Sequence, residues 1–131
     1  MREILFRGKR SFGDDWLIGC LLIYNDGECY ICSPIYDDWL QVGPETVGQF
    51  TGLTDKNNTK IFEGDILAVE TSNISVECDG YFVVKYDTET ARFICEGDGL
   101  TVDFDNVYGY EVEVIGNIYD SPELLKGGAE E

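Results

Sequence analysis

Short apolar runs are the feature that most limits how this chain can fold. Runs of a few residues rich in Ile, Val, Tyr and Phe recur along it, and Gly, Asp or Asn interrupts them at intervals of about eight to twelve residues. Because this spacing is typical of strands joined by turns, we predict a mainly β protein with antiparallel sheets. The predicted strands are Glu3–Arg7, Trp16–Tyr24, Cys29–Pro34, Thr46–Thr51, Ile66–Glu70, Tyr81–Tyr86, Arg92–Cys95, Leu100–Phe104 and Val112–Tyr119.

One short helical turn is predicted near the C-terminus. Ser121 suits the N-cap, Pro122 suits the first helical position, and Glu123 favours the positive end of the helix dipole. Residues 126–131 have little apolar surface to bury, so we expect a mobile tail there. Residues 71–80 are polar and weakly patterned, which predicts a long loop or an irregular edge strand.

Two turns are marked by residues that tolerate a left-handed backbone. Asn25–Gly27 separates two apolar runs, and Asp55–Asn58 separates the next pair. Both are predicted to be hairpin turns. In the second hairpin we expect two glycines at tight bends and four buried apolar residues, namely Gly52, Gly64, Phe50, Leu53, Ile61 and Phe62.

The net charge of the chain is strongly negative. Nine Lys and Arg residues stand against 26 Asp and Glu, which gives a formal net charge of −17. Residues 1–65 contribute −5 (6 basic, 11 acidic) and residues 66–131 contribute −12 (3 basic, 15 acidic). Since nucleic-acid binding requires several cations along a phosphate backbone, we expect no direct binding of nucleic acid. The acidic surface either keeps the protein soluble or steers a basic partner toward one face.

Histidine is absent from the sequence, which removes Ser-His and Cys-His nucleophile pairs and His-ligated zinc. Five cysteines, an odd number, predict free thiols in a reducing compartment. Cys29 and Cys32 have the spacing of half a zinc site, but on a strand they would point to opposite faces. A structural role is therefore favoured over a redox or metal role, and we expect no cofactor.

The catalytic option that remains is carboxylate chemistry. Asp103 and Asp105 would share one face of a predicted strand, as a Mg²⁺ site or a glycosidase pair requires. Asp14–Asp15 and Asp37–Asp38 are further acid pairs. With 26 acidic residues such spacings arise by chance, so solvated turns and an outward strand face are favoured.

No apolar stretch approaches the roughly 20 residues that cross a bilayer, and no cleavable signal is recognisable at the start of the sequence. We therefore expect no membrane association, no secretion and a place in the cytoplasm.

Three segments carry a family resemblance. They are Arg2–Arg7 with Trp16–Gly19, the long motif Glu45–Asn57 continuing through Lys60–Ile66, and Val114–Leu125. The three segments extend over nearly the whole chain. In their order and spacing, the chain resembles the YopX-like family of bacteriophage and prophage proteins. Asn58 stands where that family usually has glycine in the turn of the long motif, and Asn tolerates the same left-handed backbone.

The resemblance implies a gene of a phage, prophage or other mobile element, a compact β-rich fold and no established catalytic residues. Glu63–Asp65 followed by Ile66–Val69 resembles the first turn and strand of an SH3-like barrel, which the later strands would continue and close. We expect a single domain over residues 1–131, either whole or as two lobes. These lobes would be an N-terminal β region over 1–60 and the SH3-like barrel over 61–125.

The predicted function is that of a non-enzymatic accessory protein that binds another protein. Two alternatives stay open: an acidic DNA mimic that inhibits a host DNA-binding enzyme, and an enzyme that uses carboxylates and Mg²⁺. The partner would be a host or phage protein or a second copy of the chain, since edge strands allow a homo-oligomer. The candidate interaction residues are Gln49, Phe50, Asp55, Glu63, Asp65, Asp103 and Asp105.

Overall fold

The computed structural model describes residues 3–69, 81–97, 100–103 and 112–125. Our predictions for segment 71–80, for Asp105 and for the tail 126–131 lie outside these residues. The chain divides into two compact units, Met1–Gly52 and Leu53–Glu131. Each unit has a hydrophobic core of its own.

The described residues contain eleven strands, and the pairings among them are antiparallel. The predicted mainly β, antiparallel fold is therefore confirmed. The strands are β1 (Phe6–Lys9), β2 (Trp16–Ile23), β3 (Cys29–Ser33), β4 (Asp38–Val42), β5 (Gly48–Thr54), β6 (Lys60–Phe62), β7 (Asp65–Val69), β8 (Tyr81–Asp87), β9 (Arg92–Gly97), β10 (Leu100–Asp103) and β11 (Val112–Asn117).

The list of predicted strands omitted β4 and β6, although the hairpin predicted at Asp55–Asn58 already placed Ile61 and Phe62 after its turn. β4 begins with Asp38 and includes Gln41, and β6 has only three residues, so neither has the apolar run that marked the other strands. β1 begins at Phe6 instead of Glu3, because its pairing with β2 starts at Phe6.

A 3-10 turn over Pro44–Thr46 delays the start of β5 to Gly48. Thr46 holds this turn through its side chain. Its Oγ1 accepts the N–H of Lys9 at 2.8 Å and donates to the carbonyl oxygen of Gly43 at 2.6 Å. The predicted strand Thr46–Thr51 was therefore too early by two residues, since Thr46 serves the turn.

The first unit is built on one curled sheet. Its strand order is β4-β3-β2-β1-β5, and β5 continues into the second unit, where β6 is the next strand. The end of β4 returns to the end of β1, where Arg10 and Val42 form a bridge and the N–H of Gly43 donates to the carbonyl of Lys9 at 2.9 Å. The curl encloses a core of Leu17, Cys29, Ile31 and Val42, with Phe6, Leu21, Leu40 and Val47 packed against them.

The second unit contains a five-stranded sheet in the order β10-β9-β8-β7-β11. Its core consists of Ile61, Leu67, Phe82, Val84, Cys95 and Val112, with Leu53, Phe93 and Val114 packed against it. The part of this sheet that the structure describes does not close into a barrel. The SH3-like barrel over 61–125 is therefore not confirmed.

The predicted turns are confirmed. Asn25–Gly27 joins β2 to β3, and Asp55–Asn58 joins β5 to β6. Gly27 and Asn58 have φ values of 93° and 68°, in the left-handed region. Residues 123–125 are helical, and the N–H of Leu124 donates to the carbonyl of Ser121 at 3.1 Å.

The burial predicted for the second hairpin is confirmed for three of its four apolar residues, and the fourth, Leu53, is half-buried. Phe50, Ile61 and Phe62 are buried and Leu53 packs against the core of the second unit.

Gly19 allows β2 and β3 to approach each other closely. A Cβ atom at residue 19 would lie 2.0 Å from the carbonyl oxygen of Cys32, which belongs to the backbone of the paired strand. We expect Gly19→Ala to lower the free energy of unfolding by about 3 kcal/mol or more, because the strands must separate to admit the methyl group. Urea denaturation followed by circular dichroism measures this change.

Gly27→Ala is the matched control in the same unit. A Cβ atom there meets nothing within 4 Å, so only the strain of a left-handed backbone remains, about 1 kcal/mol. Equal losses in the two variants would contradict the close approach at Gly19.

Candidate interaction surface

The outer side of β2, β3 and β4 carries apolar side chains that the core does not use. Side chains alternate between the two sides of a strand, so Leu17 and Ile31 enter the core while their neighbours point away from it. Ile18, Tyr24 and Trp39 are 40%, 51% and 44% exposed. We call this surface the outer β2–β4 face, and its residues are Ile18, Cys20, Leu22, Tyr24, Tyr30, Cys32 and Trp39.

Strand pairing makes this face continuous. Side chains directly opposite each other on one face of an antiparallel pair have Cβ atoms about 4.5–5.5 Å apart. The Cα partners are Cys20, Cys32 and Trp39 in one row and Leu22, Tyr30 and Gln41 in the next. The rings of Tyr24 and Tyr30 meet edge to face with their centroids 5.2 Å apart.

Charge is absent from the strands that form this face except at the first residue of β4. Residues 16–24, 29–36 and 39–43 include no Asp, Glu, Lys or Arg. The acidic residues lie in the turns at the two ends of the strands. Asp26 and Glu28 lie at one end, and Asp14, Asp15, Asp37 and Asp38 lie at the other. The outer β2–β4 face is therefore an apolar centre between two acidic ends.

Side-chain contacts hold both ends in place. The Tyr36 hydroxyl donates to Asp15 Oδ2 at 3.0 Å, and the Arg10 guanidinium lies 3.8 Å from the same oxygen and 5.4 Å from the Tyr36 ring centroid. At the other end, Asp26 Oδ1 accepts the N–H of Glu28 at 3.0 Å. Because these turns are held by local contacts, a partner would meet a largely formed surface.

Several of the interaction residues predicted from the sequence lie inside the protein. Phe50, Asp55 and Asp65 are 6%, 7% and 1% exposed. Gln49 and Glu63 are half-buried, Asp103 ends β10, and Asp105 lies outside the described residues. Asp65 Oδ2 accepts the N–H of Phe62 at 2.7 Å across the bend between β6 and β7.

Asp55 joins the β5–β6 turn to β11. Its Oδ1 accepts the N–H groups of Asn57 at 2.9 Å and Thr59 at 2.8 Å, and its Oδ2 accepts the N–H of Val114 at 2.9 Å. Burial acts to raise the pKa of Asp55, but the three N–H donors and the nearby Lys56 charge favour the carboxylate and leave the pKa lowered. Asp55 is thus ionised and engaged in holding the fold.

The family model described as YopX protein matches residues 20–126, more than half of the chain. The chain belongs to the YopX family. The matched region begins at Cys20 and so includes most of the outer β2–β4 face.

A solved structure resembles this YopX-family chain. It is the crystal structure of protein EF1440 from Enterococcus faecalis, which has 25% sequence identity and a TM-score of 0.59, and the alignment covers 95% of this chain and 99% of that one. A search among curated proteins found no match. No helix in the part of the chain that the structure describes has the length and hydropathy of a membrane span.

The four described cysteines of the YopX-family chain are free thiols, and Cys78 lies outside the described residues. Cys29 and Cys32 occupy opposite sides of β3, as predicted. Burial raises the pKa of Cys29 and raises the pKa of Cys95 to about 12, which keeps these thiols protonated. Within residues 3–69, 81–97, 100–103 and 112–125, no group of three or more Cys, Asp or Glu side chains is placed to hold a metal ion.

The outer β2–β4 face does not stand out in the amino-acid sequence. The predicted strands Trp16–Tyr24 and Cys29–Pro34 are apolar at both alternating positions, which is also the pattern of a strand buried on both sides. The signal that marks this face is the lack of charge over these runs in a chain of net charge −17.

The Asp55 contacts predict a pH-dependent loss of stability in Asp55→Asn. The amide keeps one acceptor oxygen but presents an N–H₂ group to one of the backbone donors, so we expect the free energy of unfolding at pH 7 to fall by about 1–3 kcal/mol. Because the folded-state pKa of Asp55 is lowered, its contribution is present above the unfolded value of about 4 and is lost as pH falls through the folded value.

Urea denaturation at pH 7 and pH 3 checks this prediction, since the difference between Asp55→Asn and the wild type should shrink at pH 3. The control is Glu89→Gln, which removes an exposed carboxylate from the turn between β8 and β9 and should change stability little at either pH. A difference that is equal at both pH values would contradict a role for the ionised carboxylate.

Proposed function

We propose that this YopX-family chain is a protein-interaction module, an accessory protein of a phage or prophage that acts in the bacterial cytoplasm without catalysing a reaction. It binds a protein partner through the outer β2–β4 face. The observation that carries the proposal is this apolar surface, uncharged between its acidic ends, on a chain of net charge −17.

The physical chemistry of the face supports binding. Tyr24 and Trp39 are 51% and 44% exposed, so each presents roughly 100 Å² to solvent. Soluble proteins rarely expose continuous apolar patches larger than a few hundred Å² unless the patch binds something. Trp and Tyr are also the side chains that most often supply the binding energy of a protein interface.

The proposed origin in a phage or prophage rests on the family to which the chain belongs. The three motifs noted in the sequence are similar to those of phage and prophage proteins, and the family match extends over residues 20–126. The similar crystal structure comes from a bacterium, Enterococcus faecalis. These observations support a bacterial setting for the partner.

We also propose an SH3-like barrel over residues 61–125. Its support is the strand order of the second unit, in which β7, β8, β9 and β10 are consecutive neighbours and β11 returns beside β7. A meander whose last strand pairs with its first is the arrangement that such a barrel requires. The interaction proposal does not depend on this closure, since the outer β2–β4 face belongs to the first unit.

Affinity capture with matched variants tests the interaction proposal. The immobilised full chain is exposed to a lysate of the bacterium that carries the gene, and captured proteins are quantified by mass spectrometry. We expect at least one protein whose capture falls about tenfold or more in Trp39→Thr, because truncating an exposed aromatic residue of the face removes an apolar anchor. Thr keeps the strand propensity of the site.

The control variant is Tyr81→Thr, which removes an aromatic residue of similar exposure, 39%, from β8 in the other unit. It should capture the same protein as the wild type. Circular dichroism must show that both variants are folded. Capture that is equal in all three proteins, or a demonstrated turnover reaction without any captured partner, would overturn the proposal.

A further inference from the structure

We propose that the partner of the outer β2–β4 face is a cationic protein segment, with aliphatic or aromatic side chains at its centre and Lys or Arg at its flanks. This inference rests on the proposed function and adds the chemistry of the partner. Its basis is the position of charge around the face: an apolar centre bounded at both strand ends by carboxylates.

The carboxylates at both ends are available to a partner. Asp26, Glu28, Asp37 and Asp38 are exposed, and none of them forms an ion pair that the structure describes. Arg10 offsets only Asp15, at 3.8 Å. A segment that placed cations over the two turns would therefore meet charges of opposite sign.

The cations nearest to the face do not change this pattern. Arg7 lies on β1 as the Cα partner of Ile18, and its guanidinium lies 4.9 Å from the centroid of the Trp16 ring. Lys9 is the partner of Trp16 on the same strand. By the pairing rule used above, both share the outer side of the sheet with Ile18, but they lie at its β1 edge, whereas the two ends of β2–β4 are acidic. Residues 1–52 together contain 4 basic and 8 acidic residues, a net charge of −4.

A second copy of the chain fits the face less well. In a symmetric dimer the same patch meets itself, so the apolar centres would match but acidic turns would meet acidic turns. Like charges placed against each other at an interface oppose association, and they select against the wrong partner. The net charge of −17 adds repulsion between copies at long range and attracts a cationic partner.

The two parts of the face have different roles in this proposal. The carboxylates speed encounter and set orientation, while Trp39, Ile18 and Tyr24 supply the contact that slows dissociation. Binding should therefore depend on both, and losing either should weaken it. This separates the proposal from binding by charge alone, in which the apolar side chains would not matter.

Two synthetic peptides test the chemistry by isothermal titration calorimetry on the full chain. Both are amphipathic, with Leu and Trp on one side, and they differ only in having Lys or Glu on the other. We expect the Lys peptide to bind at least about tenfold more tightly than the Glu peptide. We also expect its Kd to rise about tenfold in the double variant Ile18→Thr with Trp39→Thr.

Charge variants supply the matched control. One triple variant removes three carboxylates from the acidic ends of the face while keeping an acceptor oxygen at each site; its changes are Asp26→Asn, Glu28→Gln and Asp37→Asn. We expect it to weaken binding of the Lys peptide several-fold. Glu89→Gln, Asp120→Asn and Glu123→Gln remove three exposed carboxylates from the second unit. This second set makes the same change in net charge, and binding should stay within about twofold of the wild type.

Three results would overturn the inference. The first is an equal Kd for the two peptides. The second is a Kd of the Lys peptide that does not change in the double variant Ile18→Thr with Trp39→Thr. The third is a dimer in sedimentation equilibrium that Trp39→Thr dissociates, which would assign the face to a second copy. If the Lys peptide does not bind while capture from the lysate still requires Trp39, only the partner chemistry fails. If capture is also independent of Trp39, the proposed function fails with it.

Discussion

The curl of the first sheet is the constraint on which the candidate surface depends. β4 can return to the end of β1 only because two glycines let the backbone pass very close to atoms of the neighbouring strands. A Cβ atom at Gly8 would lie 2.8 Å from Val42 Cγ2, and one at Gly19 would lie 2.0 Å from the carbonyl oxygen of Cys32. Once the sheet curls, one side encloses Leu17, Cys29, Ile31 and Val42 as a core. The other side of β2–β4 does not belong to that core, and Ile18, Tyr24 and Trp39 stay exposed there.

The second unit shows why the longest family motif says more about folding than about binding. Asp55 accepts three backbone N–H groups, from Asn57, Thr59 and Val114, and so fixes a hairpin turn to a strand that is distant in sequence. Asp65 supports the next bend by accepting the N–H of Phe62. Replacing a buried carboxylate that accepts backbone N–H groups by an apolar side chain leaves those donors unpaired. Both residues therefore have a structural reason to be acidic that requires no partner.

Sequence analysis predicted most strands because their apolar runs and turn residues are local signals. The turn at Asn25–Gly27 and the hairpin around Asn58 follow from residues that tolerate a left-handed backbone. β4 lacks such an apolar run, and the curl could not be predicted in this way because it depends on the bridge between Arg10 and Val42, which are far apart in sequence. The same limit applies to the site. An acidic residue such as Asp55 looks available in a sequence, whereas in the structure one of its oxygens accepts two local N–H groups and the other accepts the N–H of the distant Val114.

The acidic ends of the outer β2–β4 face oppose the self-association that its apolar centre would favour. An exposed sheet face with Trp39, Tyr24 and Ile18 would favour association between copies, since the hydrophobic effect does not distinguish one apolar partner from another. Carboxylates at both ends of the strands make that association unfavourable, because a symmetric contact brings them together. The same charges favour a partner of opposite sign. In the proposed interaction, one arrangement of charge disfavours contact between copies of the chain and favours a cationic partner, which links the acidity of the sequence to a particular surface.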